Sequence, residues 1–212
     1  MTPLQQEQAP QPVERASRTT IAPAQRYVIR RLRRLIPNHA EPMSWREAER
    51  VANAQGALLA RLSERARMDV VDFVATLPVV RIELDATLPD YCTSYWDERS
   101  QRWVIVVRAS DRTVQRRFSI VHEFKRILDR GRETELYDAR YLQGLVQAAM
   151  AADQFASRAL MPAPKIRAAL RDGASVVGLA RQFKVTVLRA SNRLSDLNLL
   201  PTIKHPERRE SP

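Results

Sequence analysis

An α+β fold is what this sequence predicts, because its apolar residues follow two different rhythms along the chain. From Ala48 to Leu62, and again from Val114 to Leu128, they return every three or four residues, the spacing of one helix face. Between those stretches Val79-Val-Arg-Ile-Glu-Leu84 alternates, and Tyr91–Trp96 and Trp103–Val107 are rich in β-branched and aromatic residues, as strands are. The 212 residues are 44% hydrophobic and 28% charged, which suits a globular protein with a real core.

Taken in order, residues 1–25 are rich in Gln, Pro, Thr and Ala and are expected to form a disordered tail, as are residues 201–212. Residues 26–41 form a basic arm. Its arginines surround Val28, Ile29, Leu32, Leu35 and Ile36, which fit a short amphipathic helix docked on the domain. Arg30, Arg31, Arg33 and Arg34 could alternatively hold phosphates. Ser44-x-x-Glu47 is a capping box that opens a helix to about Arg67, burying Ala48, Val51, Ala52, Leu58, Leu59 and Leu62. A shorter helix from about Val70 to Thr76 stops before Pro78.

The alternating stretch at 79–84 then reads as a strand, and the next two as an antiparallel hairpin joined through the polar residues 97–102. The sheet is expected to be small and antiparallel. Ser110 or Asp111 is placed to cap a helix from about Arg112 to Arg130, with Val114, Phe118, Val121 and Leu128 on its buried face. A helix from about Ala139 to Leu160 follows. Pro164 suits the first turn of another, which Gly173 closes. Residues 175–194 read as two short helices around a tight turn, with Thr186 capping the second and Lys184 where a turn glycine is usual. If this pair reads DNA, Arg189, Asn192 and Arg193 are the expected contacts.

The charge of +11 and pI near 10.7 favour an acidic partner such as nucleic acid, or simply a solvated arginine-rich surface. No apolar stretch is long enough to span a bilayer, and the first residues lack a signal core, so a cytoplasmic location away from membranes is expected. Cys92 is the only cysteine, which excludes an internal disulfide and any cysteine-rich zinc motif. It reads as a packed thiol on a strand.

The chemistry-bearing feature is His122-Glu123-Phe124-Lys125-Arg126 on the central helix. In His-Glu-x-x-His, histidines four apart face one side of a helix and share a metal, while the glutamate activates the metal-bound water. Here Arg126 holds the second ligand position, and a guanidinium has no lone pair to offer and adds positive charge beside a dication. Arg126 is expected to fill the vacated place and pair with Glu123 or Asp153.

The stretch Arg116-Arg-Phe-Ser-Ile-Val-His-Glu-Phe-Lys-Arg-Ile-Leu-Asp129 closely resembles the signature helix of the ImmA/IrrE metallo-endopeptidases, Arg-Phe-Ser-x-x-His-Glu-Phe-Lys-His-x-Leu-Asp-His. Ala151-Ala-Asp-Gln-Phe-Ala-Ser-Arg-Ala-Leu-Met-Pro162 is similar to that family's second signature, and the likeness runs from about residue 42 to 200. The resemblance implies a zincin-like peptidase domain over 42–165 with a helix-turn-helix-like segment at 166–200. It implies a zinc ion held by two histidines and a later acidic residue, with Glu123 catalytic. It also implies action on helix-turn-helix repressors, often those of mobile elements.

Three departures bear on that expectation. Arg126 and Arg130 stand where relatives carry histidines, and Ala151 aligns with a glutamate, leaving His122 and Asp153 as the available metal ligands. His39 and His205 lie near the ends of the chain. A zinc ion with two protein ligands is incomplete, so zinc is expected to bind weakly or not at all. Three functions remain open. The first is a pseudo-peptidase that binds a repressor or other regulatory protein. The others are an atypical active zinc endopeptidase and a basic DNA-binding regulator.

Overall fold

The computed structural model describes residues 27–38, 43–89, 92–137 and 141–200. The two expected tails lie outside these residues, as do His39, Tyr91, Ala139 and His205. The helices are α1 (Val28–Arg33), α2 (Trp45–Arg65), α3 (Val70–Ala75), α4 (Thr113–Asp129), α5 (Glu133–Leu136), α6 (Tyr141–Leu160), α7 (Ala163–Arg171), α8 (Val176–Phe183) and α9 (Val187–Asp196). The strands are β1 (Val80–Asp85), β2 (Cys92–Asp97) and β3 (Arg102–Arg108). The fold is α+β, as expected.

Helix α4 is the hub, packed on β2 and β3 on one side and on α6 on another, while α6 also lies along α2. Its buried side chains include Phe118, Val121, Phe124 and Leu128. The expected hairpin forms, with Cys92 opposite Val107 and Asp97 opposite Arg102. The expectation of a wholly antiparallel sheet is corrected: the order is β1-β3-β2, and β1 pairs with β3 in parallel. The hairpin inserts its second strand beside β1, so β3 becomes the central strand. Val104, Ile105, Val106 and Val107 are then all buried, as suits a strand covered on both faces.

Local signals account for most helix ends. Glu47 accepts hydrogen bonds from the Ser44 backbone N–H at 3.0 Å and the Ser44 hydroxyl at 2.7 Å. At α4 the cap is neither Ser110 nor Asp111. Arg112 is the N-cap residue, and its backbone N–H donates to Gln115 Oε1 at 3.1 Å. Asp69 caps α3 and also accepts two 2.8 Å hydrogen bonds from Arg117, tying α3 to α4. Burial alone would raise the Asp69 pKa, but the bonds from Arg117 and Val71 more than offset it and hold the carboxyl below its ordinary value.

Arm helix α1 docks through Val28, Leu32 and Ile36, all buried. Arg33 donates from Nε to the Leu128 carbonyl at 3.0 Å and from Nη2 to that of Ile127 at 2.8 Å. These are orphan carbonyls at the C-terminal end of α4, where a cation is favoured. Arg33 is thus committed to the fold, while Arg30, Arg31 and Arg34 remain exposed.

The turn between α8 and α9 has the strain the sequence suggests. Lys184 sits at φ +52° and ψ +50°, the left-handed region that disfavours a side chain. Thr186 caps α9, accepting from the Arg189 N–H at 3.2 Å. Lys184→Gly is expected to raise stability by about 0.5–1 kcal/mol, read as a higher urea midpoint at unchanged slope. A lowered midpoint would show that the lysine side chain contributes more than its backbone costs.

Candidate functional site

His122 and Glu123 stand at the middle of α4 where β2 crosses it. The period-two alternation of β2 turns Cys92 and Ser94 to the helix and leaves Thr93 and Tyr95 exposed. The Ser94 hydroxyl donates to Glu123 Oε2 at 2.7 Å. The Cys92 thiol donates to Glu123 Oε1 at 3.5 Å. His122 Nδ1 faces the same Oε1 at 3.6 Å, just beyond hydrogen-bonding reach, and is buried without a partner among the described residues. Cys92, His122 and Glu123 thus bring a sulfur, a nitrogen and an oxygen within 4.8 Å of one another.

Electrostatics separate the two acids. Burial would raise the Glu123 pKa, but His122, Ser94 and the nearby Arg126 charge outweigh it, so the carboxyl lies below its ordinary value and is ionised at neutral pH. Burial, reinforced by the Glu123 charge, pushes the Cys92 thiol up to about 12, against a smaller opposing hydrogen bond from Ser119. Cys92 is therefore a neutral thiol in the metal-free protein and a poor nucleophile.

Of the other expected site residues, Asp153 comes close to His122, whereas Arg126 forms no pair among the described residues. Asp153, on α6, lies 3.7 Å from His122 Nε2 through Oδ1. Its Oδ2 accepts a 2.8 Å hydrogen bond from Arg189 on α9, whose guanidinium also stacks 3.8 Å from the centre of the Phe118 ring. The expected pairing of Arg126 with Glu123 or Asp153 is not found. Arg126 is exposed and makes no hydrogen bond or ion pair among the described residues, and the cation on Asp153 is Arg189. Ala151 is fully buried, so the position aligned with an acidic ligand faces the core.

The remaining cations divide between fold and surface. Arg193 is 2% exposed and donates from Nε to the Met161 carbonyl at 3.4 Å. Burial lowers its pKa to about 10, leaving it charged but withdrawn from any surface. Asn192 is exposed. Of the three DNA contacts proposed on α9, Arg189 and Arg193 are therefore engaged inside the protein.

Beside Glu123 opens a cleft of about 540 Å³, lined among others by Cys92, Trp103, Arg126, Arg130, Tyr137 and Leu145. Arg126 on α4 and Arg130 just past its C-terminal end both reach it, and Arg130 lies 6.0 Å from the centre of the Trp103 ring. Under the cleft is a polar cluster. Lys125, fully buried, pairs with Asp129 one turn on, and Asp129 Oδ2 accepts a 2.5 Å hydrogen bond from the Tyr137 hydroxyl.

The peptidase zinc set does not fit these residues. Arg126 cannot donate electrons to a metal. Asp153 is neutralised by Arg189, and the face of α6 that lines the cleft offers Gly144, Leu145 and Ala148. The sequence points to His122 and Glu123 but gives no sign that Cys92 and Ser94 meet them. Their i, i+2 spacing on a strand says only that the two share a face.

No curated protein sequence matches the chain significantly. No helix among the described residues is long and apolar enough to cross a membrane. The model of the M78 peptidase family, described as the IrrE N-terminal-like domain, matches residues 77–195, which hold β1 to β3, the His122-Glu123 helix, Asp153 and the C-terminal helix pair. With more than half of its length matched, the chain belongs to the IrrE N-terminal-like family of M78 peptidases.

Proposed function

We propose that this protein is a pseudo-peptidase: a peptidase fold without the family's hydrolytic zinc centre, which works as a regulatory binding protein. Its expected partner class is a helix-turn-helix repressor or a related regulatory protein. The observation that carries this reading is Arg126. It stands at the cleft beside Glu123 in place of a metal ligand, while the nearest later carboxylate, Asp153, is bound by Arg189.

The cleft keeps features useful for binding without hydrolysis. Arg126 and Arg130 offer two exposed guanidinium groups beside the apolar Trp103 and Leu145. That combination suits an acidic or polar segment with an apolar anchor. A DNA-binding role draws less support, since Arg33, Arg189 and Arg193 are occupied within the fold.

The test is to incubate the zinc-supplemented protein with helix-turn-helix repressors of its own genome, following binding by gel filtration and cleavage by intact-mass spectrometry. Co-elution with uncut repressor is the expected result. Cleavage that stops on adding a chelator, and is lost in Glu123→Gln, would establish an active endopeptidase instead.

A further inference from the structure

We infer that the chain carries a metal site of a different kind, made by Cys92 Sγ, His122 Nδ1 and Glu123 Oε1, for a borderline-soft divalent cation such as zinc or cobalt. The inference goes beyond the pseudo-peptidase reading and is compatible with it, because a Glu123 that ligates a metal is no longer free to act as a base.

The donor geometry is the first argument. A tetrahedral cation with sulfur at about 2.3 Å and nitrogen or oxygen at about 2.0 Å spaces its ligands about 3.3–3.5 Å apart. Two of the three separations match this spacing, Cys92–Glu123 at 3.5 Å and His122–Glu123 at 3.6 Å, and the Cys92–His122 pair lies within 4.8 Å. One thiolate, one imidazole and one carboxylate form a donor set suited to zinc or cobalt rather than to magnesium or calcium.

The surroundings are the second argument. A ligating histidine commonly presents its other ring nitrogen to a carboxylate, and a ligating carboxylate is itself hydrogen-bonded. Here the His122 Nε2 side faces Asp153 at 3.7 Å, with Asp153 anchored by Arg189 at 2.8 Å. Glu123 Oε2 is held by Ser94 at 2.7 Å, which leaves Oε1 aimed at the gap. A plain thiol hydrogen bond accounts for Cys92 and Glu123 but leaves His122 Nδ1 buried with no hydrogen bond among the described residues, facing Glu123 Oε1 at 3.6 Å. A cation gives Nδ1 a partner and replaces the thiol proton.

The decisive experiment is cobalt titration of the full-length protein, watched for thiolate-to-cobalt charge-transfer absorption in the near ultraviolet. The expected result is a band saturating at one equivalent, abolished in Cys92→Ser, with at least tenfold weaker binding in Asp153→Asn. Circular dichroism of each variant checks that it is folded. The site is overturned if wild type gives no charge-transfer band, or if Cys92→Ser binds cobalt as tightly as wild type. Repressor cleavage is scored separately, so a band with no cleavage supports both readings. A band with chelator-sensitive cleavage removes the pseudo-peptidase and overturns Glu123 as a ligand, since a ligating Glu123 cannot act as the base.

Discussion

Asp129→Ala is expected to cost about 3–5 kcal/mol of folding stability, the range found when one member of a buried ion pair is removed. Lys125 is fully buried and Asp129 nearly so, and the two pair one turn apart on α4. Burial pulls the Lys125 pKa down and the charge of Asp129 opposes that pull, while burial pushes Asp129 and Tyr137 up. Without Asp129 the ammonium group has the Tyr137 hydroxyl at 3.5 Å but no described counter-charge, so it must lose its proton or draw water into the core. Thermal melting is expected to fall by about 10 °C for a chain of this size. The double variant Lys125→Met, Asp129→Leu is expected to recover most of the loss, because it removes both charges and fills their space. A loss below about 1 kcal/mol in Asp129→Ala would show that solvent reaches the pair.

The elements that were legible in the sequence are those whose causes are local. Ser44 and Glu47 mark the start of α2 because a capping box needs only residues three apart. Thr186 and Lys184 mark the α8–α9 turn for the same reason. The hairpin of β2 and β3 follows from two strands joined by a short polar link. The pairing of β1 with β3 was not legible, since hairpin chemistry says nothing about which edge a third strand joins. Nor did the sequence suggest α5, a single turn of four residues with no periodicity to detect.

The site divides along the same line. His122, Glu123 and Arg126 share one helix, so their spacing speaks directly. Cys92 reaches Glu123 across 31 positions and Arg189 reaches Asp153 across 36, and only tertiary packing brings them together. Asp153 was legible as a carboxylate near His122 but not as one already held by an arginine. Arg193 looked like an exposed contact because arginines usually are. The packing of α9 against Met161 buries it.

Gly56→Leu is expected to destabilise the protein by about 3 kcal/mol or more, through overpacking between α2 and α6. In an open helix interior, replacing glycine by a good helix former gains up to about 1 kcal/mol, so the sign depends on space alone. At Gly56 a Cβ would stand 2.6 Å from the Phe155 carbonyl oxygen and 2.9 Å from Arg158 Cβ. The first of these is backbone and cannot swing aside, so the helices must separate and loosen the packing of Phe155, which lies against Phe124 of α4. The effect reaches the site, because α6 also positions Asp153 behind His122. Gly178→Ala is the matched control: its Cβ would meet nothing nearer than Ser175 Oγ at 3.6 Å, so a gain of about 0.5 kcal/mol is expected there. Urea denaturation of the two variants beside wild type measures both. If Gly56→Leu kept wild-type stability, α2 and α6 would have to move apart without cost, and the close approach at Phe155 would not be what sets their spacing.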